Sequence, residues 1–352
     1  MAGTELDRLV AALRAAQAVA LNADADSAAD ALRELEVAWV DCPPDRLDAF
    51  DRANIQLTRS GLRALLDLDC SESTSEALRL ARQLGSAPED QRLLVQILLE
   101  AGDRARQDGD FYVARPLIDE AIERARIALG PQAEESAQAY NCLGLWGRYR
   151  GEFALARQSY EMALRIIELA PHPWMRANVL HNLASLEHLA GDLEHALELI
   201  ESALALRRPD DAGRDGDDAV KAVILIDLDR YADSSELFVS LSQRLTHRWG
   251  RDSADMMHLN ANWAVLEQRQ GNLSAAREHY AQALDVAEQL GGSARPAAAG
   301  IYANAAQLAL TSGDRDRAGD YAKRALSGLE GWAATDLPAL RLAREVRDAL
   351  DA

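Results

Sequence analysis

The chain has 352 residues, of which 48% are apolar and 27% charged, so it can bury a large core and is not disordered by composition. Its formal net charge of −19 argues against nucleic acid or an anionic membrane as the main binding partner. The three cysteines, Cys42, Cys70 and Cys142, are too far apart in sequence for a disulfide framework or a metal cluster. Together with the lack of an apolar run long enough to cross a membrane, they favour a reduced, cytoplasmic setting.

The N-terminal part of the chain, residues 1–86, is predicted to be helical but repeats only weakly. Apolar residues recur at helical spacing in four segments. The segments are residues 5–21, 27–40, 46–66 and 71–84. We predict two divergent helix pairs, which form a first domain of residues 1–86.

From residue 87 onwards, a turn residue recurs every 38 to 42 residues. A glycine there tolerates the left-handed backbone that ends a helix, and aspartate is a poorer substitute. The turn residues are Gly109, Gly151, Gly191, Asp229, Gly271 and Gly313. Because two helices and their turns fit this period, we predict an array of helix pairs over residues 87–336.

Small residues stand at fixed distances from each turn, which indicates how the two helices of a pair pack. The residues five positions after the turns are Ala114, Ala156, Ala196, Ser234, Ala276 and Ala318. Gly or Ala also stands seven positions before every turn, and Ala stands twelve after it except at Leu241. Such side chains allow two antiparallel helices to approach closely, whereas larger ones would overpack the contact.

Three short motifs carry a family resemblance. They are ARPL at 114–117, ALGP at 128–131 and LHNLA at 180–184. With the glycine turns, they resemble the tetratricopeptide repeat, and more narrowly the long repeats of kinesin light chains, over residues 89–326. The arginine bias of the chain is typical of a bacterial genome of actinobacterial type. The resemblance implies an all-α fold, a right-handed α-α superhelix of helix pairs, and residues 337–352 are predicted to be its capping helix.

The resemblance also implies that the first helix of each pair lines a concave groove. Asn182, Asn262 and Asn304 share one register position there, two before the small residue, and Cys142 replaces asparagine in another repeat. An amide both donates and accepts, so it can pair with the backbone of an extended peptide. The candidate ligand-binding residues are Asn141, Arg148, Tyr149, Asn178, His181, Asn182, His188, His258, Asn262, Arg269 and Asn304. This wall contains few acids, which favours a polar or acidic peptide over the alternative of a merely solvated surface.

An Asp- and Gly-rich stretch, residues 210–218, interrupts the repeat pattern. Its aspartates lack the regular spacing and the distal glutamate of a calcium loop. We therefore predict a mobile loop that ends in a helix cap, followed by a short first helix over residues 218–226.

Residues that could support catalysis or metal binding are sparse. The chain has no nucleotide-binding glycine loop, no nucleophile elbow and no zinc-protease motif. His181 and His188 lie two helical turns apart, too far to share a metal without a third ligand between them. An ordinary polar surface is favoured there, and a hydrogen-bonding or pH-sensitive groove is the alternative. A thiol and base formed by Cys142 and His181 is conceivable, but a packing role for the cysteine is favoured. We expect no catalytic residue, no metal and no cofactor.

The sequence thus predicts a scaffold or adaptor that binds a peptide segment or a partner protein in the groove. It predicts no direct contact with nucleic acid and none with a membrane, and it leaves the oligomeric state open. One alternative is a regulatory sensor of a signalling peptide, because similar repeats form the sensor arms of bacterial regulators. The other is small-molecule binding or enzymatic use of the inner cavity around Tyr149, His181 and His188.

Overall fold

A computed structural model describes residues 2–21, 25–43, 46–66, 68–169, 172–209, 211, 213–290, 296–330 and 337–352. These residues form seventeen α-helices, and no strand occurs among them. The prediction of an all-α, superhelical repeat fold is therefore confirmed.

The helices follow one another with short connections. In chain order they are α1 (Ala2–Leu21), α2 (Ala25–Asp41), α3 (Ala49–Leu65), α4 (Ser71–Ala81), α5 (Pro88–Gln107), α6 (Phe111–Arg124), α7 (Glu134–Arg150), α8 (Phe153–Leu169), α9 (Pro173–Ala190), α10 (Leu193–Leu206), α11 (Gly213–Asp227), α12 (Tyr231–Trp249), α13 (Ala254–Arg269), α14 (Leu273–Gln289), α15 (Pro296–Thr311), α16 (Arg315–Leu329) and α17 (Pro338–Asp351). Helix α6 continues as a π-helical turn, Ala125–Leu129.

The chain forms two compact units. The first consists of Met1–Asp103 and Arg115–Ala139, and the second of Arg104–Ala114 and Tyr140–Ala352. In the first unit, α1 to α4 correspond to the four predicted N-terminal segments, and α1 to α3 share an apolar core around Leu9, Leu35 and Ile55. The division into domains 1–86, 87–336 and 337–352 stays a prediction.

The six predicted turn residues adopt the same left-handed backbone. Their φ angles lie between 58° at Asp229 and 86° at Gly191. Among the described residues, Asp229 is the one non-glycine residue with a positive φ. Its carboxylate accepts a hydrogen bond from the hydroxyl of Tyr231, at 2.6 Å. Each turn therefore reverses the chain between the two helices of a pair, with α5, α7, α9, α11, α13 and α15 as the first helices.

The small residues pack where the two helices of a pair meet. The residues five positions after the turns are all fully buried, including Ser234, whose hydroxyl donates to the carbonyl oxygen of Ala222. Gly144 of α7 faces the ring of Tyr160 of α8 so closely that a Cβ at residue 144 would overlap it. A side chain at this position is therefore excluded by packing rather than by backbone conformation.

Gly144→Ala is expected to destabilise the second unit by about 1–3 kcal/mol through overpacking against the buried Tyr160 ring. Chemical denaturation followed by circular dichroism measures the loss. Gly300→Ala is the matched control, because Gly300 lies in α15 and no atom of the described residues outside its own helical turn lies within 4 Å of the added methyl group. There the helix preference of alanine should stabilise by roughly 0.5–1 kcal/mol. Equal stability of the two variants would contradict the packing described for Gly144.

The Asp- and Gly-rich stretch differs from the prediction. Helix α11 begins at Gly213, not at residue 218, and Asp215, Asp217 and Asp218 are buried within its first turns. Asp211 accepts a hydrogen bond from the backbone N–H of Gly213 at 2.8 Å. The prediction of a loop followed by a short first helix was wrong for residues 213–217, which are already helical. Asp210 and Ala212, which belong to the same prediction, lie outside the described residues.

The last helix, α17, packs by one apolar face on the preceding pair. Leu340 and Ala343 join the core that contains Ala325, and Val346 packs beside Ala318. Arg341 and Glu345 on the other face are exposed. This arrangement covers the apolar surface of α15 and α16, as a capping helix should.

Candidate binding groove

The first helices of five pairs line one cavity of about 1200 Å³ in the second unit. Side chains from α7, α9, α11, α13 and α15 form most of its wall, and Leu245, Trp249 and Tyr280 reach it from second helices. We call this surface the inner groove. Because every first helix of the unit after α5 contributes, the groove follows the repeat register.

The structure brings eight of the eleven candidate residues together in the inner groove. They are Arg148, Tyr149, His181, His188, His258, Asn262, Arg269 and Asn304. Asn141, Asn178 and Asn182 do not line it. Cys142 does not line it either.

The three remaining asparagines bind other parts of the protein. The Asn182 side chain is only 9% exposed, and its Nδ2 donates to Oδ1 of Asn141 at 2.9 Å, which joins α9 to α7. Oδ1 of Asn178 accepts from Nη2 of Arg207 at 2.7 Å. The shared register position thus has two uses in this chain, since Asn182 joins helices whereas Asn262 and Asn304 face the groove.

His181 is fixed by a buried carboxylate. Its Nδ1 lies 2.8 Å from Oδ1 of Asp217, whose side chain is fully buried, and Nε of Arg207 donates to the other oxygen at 2.9 Å. Because a carboxylate bound to a guanidinium accepts hydrogen bonds, Nδ1 of His181 carries the proton in this pair. Nε2 is then left as the ring atom that can accept from a ligand in the groove.

His188 takes part in a second set of charged contacts across three first helices. Its Nε2 donates to Oδ2 of Asp227 in α11 at 2.8 Å, and Nη2 of Arg269 in α13 donates to Oδ1 at 3.0 Å. The hydrogen bond from His188 lowers the pKa of Asp227, and the charge of Arg269 acts in the same direction. Asp227 is therefore ionised at neutral pH and neutralises Arg269 within the groove.

Acids that sequence reasoning missed also line the groove. Asp215, Asp227 and Asp255 face it, although the predicted wall was poor in acids. Arg244 and Arg248 of α12 bind Asp215 at 2.6 and 3.1 Å. For Asp215 the error follows from the boundary of α11, because a helix beginning at residue 218 leaves this residue outside the wall.

The neighbouring Asp218 shares the same cation. Nη2 of Arg244 donates to Oδ2 of Asp218 at 2.7 Å. Burial raises the pKa of Asp218, and the charge of Arg244 opposes this rise. Arginines of α12 thus neutralise the negative charge of the aspartates in the first turns of α11.

Arg148 is the groove cation without a carboxylate partner in the described part of the chain. Its guanidinium stacks on the ring of Tyr149 at 4.7 Å, and Arg106 lies at 4.6 Å from the same ring. The Nε of Arg148 is buried and has no hydrogen-bond acceptor. The α7 end of the groove therefore carries positive charge, whereas Arg269 is balanced by Asp227.

The α13 and α15 end of the groove also carries neutral polar side chains. Asn262 and Asn304 both line it, and the structure gives neither side chain a hydrogen bond to the described residues. His258 stands one turn before Asn262 on the same helix and is exposed to the groove. These groups are available to a ligand with hydrogen-bond donors or acceptors.

One group of potential metal ligands lies outside the groove. Ligand atoms of Glu187, Asp192 and His195 lie within 4.8 Å of one another. Both carboxylate oxygens of Glu187, however, accept hydrogen bonds from Arg157, one of them from Nε at 2.7 Å. The guanidinium of Arg157 neutralises this buried acid. We therefore interpret the group as an Arg157–Glu187 ion pair beside Asp192 and His195 rather than as a metal site.

Comparisons with known proteins agree with this repeat architecture. Two profiles described as tetratricopeptide repeat match residues 252–331 and 176–208. A sequence search of curated proteins gives no match. None of the described helices has the length and apolar character needed to cross a membrane.

Solved structures share the fold at low sequence identity. The apo form of RapI is 16% identical, with a TM-score of 0.58 over 80% of this chain and 98% of that one. The apo form of the quorum sensor NprR from B. thuringiensis is 13% identical, with a TM-score of 0.57 over 90% and 86%. Kinesin light chain repeats from Podospora anserina are 17% identical, with a TM-score of 0.44 over 56% and 96%. The left-handed turns and the small-residue contacts agree with the matched profiles, which show that the chain contains tetratricopeptide repeats at residues 176–208 and 252–331.

Proposed function

We propose that the protein acts by binding, and that an extended segment of a partner protein occupies the inner groove. The observation that carries the proposal is the groove of about 1200 Å³ lined by five successive first helices. Sites for small molecules commonly measure about 300–1,000 Å³, so this volume favours a segment of several residues over one small ligand.

The chemistry of the wall supports the same ligand. Asn262 and Asn304 offer amides that can donate to and accept from a peptide backbone irrespective of its sequence. Arg148 supplies a positive charge at the α7 end, which favours an acidic or polar segment there. Nucleic acid is disfavoured, since the chain carries a net charge of −19.

A regulatory role is the more specific form of this proposal. NprR is a quorum sensor, and it matches 90% of this chain in fold. We propose on this support that the ligand is a signalling peptide or a segment of a regulatory partner in the cytoplasm. Small-molecule binding or enzymatic use of the cavity around Tyr149, His181 and His188 is less favoured, because the charges of both histidine-bound aspartates are already balanced by arginines.

Replacement of two groove amides tests the proposal. The double variant Asn262→Ala with Asn304→Ala is expected to lower the affinity for the captured partner by about tenfold or more. Each lost hydrogen bond contributes about 0.5–1.5 kcal/mol to binding. The measurement is affinity purification from native lysate, followed by mass spectrometry of protein and small-molecule fractions. Gln158→Ala with Gln282→Ala is the matched control, since both amides are exposed on second helices away from the groove.

The outcomes separate the candidate functions. A protein or peptide that the wild type and the control capture, but the groove variant loses, supports the proposal. Equal capture by all three proteins contradicts it. A small molecule that only the groove variant loses would instead favour the cavity alternative. Circular dichroism of the variants should be unchanged, because neither asparagine bonds another described side chain.

A further inference from the structure

One groove residue comes from a second helix and has an unsatisfied polar group. Tyr280 of α14 is 2% exposed and lines the inner groove. Its hydroxyl is buried and has no hydrogen-bond partner in the described residues. Buried hydroxyl groups are usually paired, and an exception calls for a physical reason.

Packing alone does not require a hydroxyl at this position. Tyr280 stands four residues after Ala276, and the equivalent residues of four other pairs are apolar and buried. They are Ile118, Ile200, Phe238 and Ala322. A phenylalanine would therefore fill the same space without burying a polar atom.

Tyr160 occupies the same position in the α7 and α8 pair and serves as an internal comparison. It is fully buried, and its hydroxyl also has no hydrogen-bond partner in the part of the chain that the structure describes. Arg148 lies near it without hydrogen-bonding geometry and opposes the rise in pKa that burial causes at Tyr160. Tyr160 does not line the inner groove, whereas Tyr280 does.

We propose that the Tyr280 hydroxyl donates a hydrogen bond to an oxygen atom of the segment bound in the inner groove. The acceptor is a backbone carbonyl or a carboxylate of that segment. Tyr280 is thus a binding residue contributed by a second helix, α14, which follows the first helix that carries Asn262 and precedes the one that carries Asn304. This inference rests on the proposed function.

The protonation state of Tyr280 suits this role. Burial raises its pKa, so the phenol stays protonated throughout the physiological range and keeps its proton to donate. Asn262 and Asn304 can supply both donors and acceptors beside it. The subsite therefore recognises an oxygen acceptor flanked by peptide-like groups.

The test uses a phage-displayed library of random linear peptides, selected on the full wild-type chain. A selected peptide is synthesised, and its Kd is measured by calorimetry. Tyr280→Phe should raise this Kd about 3- to 10-fold, the contribution of one neutral hydrogen bond. Tyr160→Phe is the matched control and should leave Kd unchanged. Both variants should melt at the wild-type Tm or above it, because each removes an unsatisfied buried hydroxyl.

The result distinguishes failure of this inference from failure of the proposed function. Peptides that are lost with Asn262→Ala and Asn304→Ala, but bind Tyr280→Phe with the wild-type Kd, overturn the role of Tyr280 alone. If no peptide is selected, or if the asparagine variant binds equally well, both proposals fail. When the inference holds, alanine replacement of each acidic side chain of the peptide identifies the acceptor, because alanine removes the side-chain oxygen. If a carboxylate is the acceptor, its replacement abolishes the Kd difference between wild type and Tyr280→Phe. If a backbone carbonyl is the acceptor, the difference persists with every replaced peptide.

Discussion

Arg207→Met is expected to lower the free energy of unfolding of the second unit by about 3–5 kcal/mol. The Asp217 side chain is fully buried, and the Arg207 side chain beside it is only 6% exposed. Loss of the guanidinium leaves the carboxylate with His181 as its remaining partner and removes the donor to Asn178. An uncompensated buried charge destabilises far more than the loss of a contact between neutral groups.

The measurement is urea denaturation followed by circular dichroism, with hydrogen exchange of α9, α10 and α11 to locate the loss. Arg230→Ala removes an exposed ion pair with Asp233 and should change stability by at most about 0.5 kcal/mol. The double variant Arg207→Met with Asp217→Leu should recover much of the loss, because it removes both charges. A single variant as stable as Arg230→Ala would contradict the role of this buried pair.

The repeat was predictable because its determinants are local. A glycine at position 191 or 271 ends a helix through its own backbone freedom, and a small residue such as Ala196 is required by the adjacent helix of the same pair. Both the turn glycine and the small residue that packs beside it are thus set by sequence separations of about two helical turns. Asp229 shows that the register is recognisable even where the preferred residue is missing, since its φ of 58° matches the glycines in kind.

Helix α11 was not predictable by the same reasoning. Its first turns bury Asp215 and Asp218, and local composition indicates a loop there. The compensating charge comes from Arg244, which lies 29 residues after Asp215 and one helix away in the fold. Tertiary pairing thus overrides local preference, and only the three-dimensional arrangement reveals it.

The candidate site was predictable where the repeat register alone decides whether a side chain faces the groove. Positions such as Asn262 and Asn304 follow from the first-helix pattern, whereas the bond of Asn182 to Asn141 depends on how two neighbouring first helices meet. Tyr280 was missed because it lies on a second helix. The sequence did contain a signal for it, because the equivalent position is apolar in other repeats, as at Ile200, and is a tyrosine here.

Phe238→Ala is expected to destabilise the α11 and α12 pair by about 3–5 kcal/mol, the usual loss for a deleted buried aromatic side chain. Phe238 is fully buried in the core that includes Leu241, the residue that departs from the small-residue pattern. Its ring stacks on Trp263 of α13 at 5.7 Å, and Trp263 stacks on His279 at 4.8 Å. Removal of the ring leaves a cavity between two successive pairs.

Val239→Ala is the matched control for Phe238→Ala, because Val239 is the next residue of α12 and is 47% exposed. Its change in stability should stay within about 0.5 kcal/mol. Since each pair contacts only its neighbours, hydrogen exchange should accelerate most in α11 to α14 and least in α1 to α4 for Phe238→Ala. Uniform acceleration along the chain would contradict this local coupling. Equal stability of the two variants would show that the aromatic stack does not hold the pairs together.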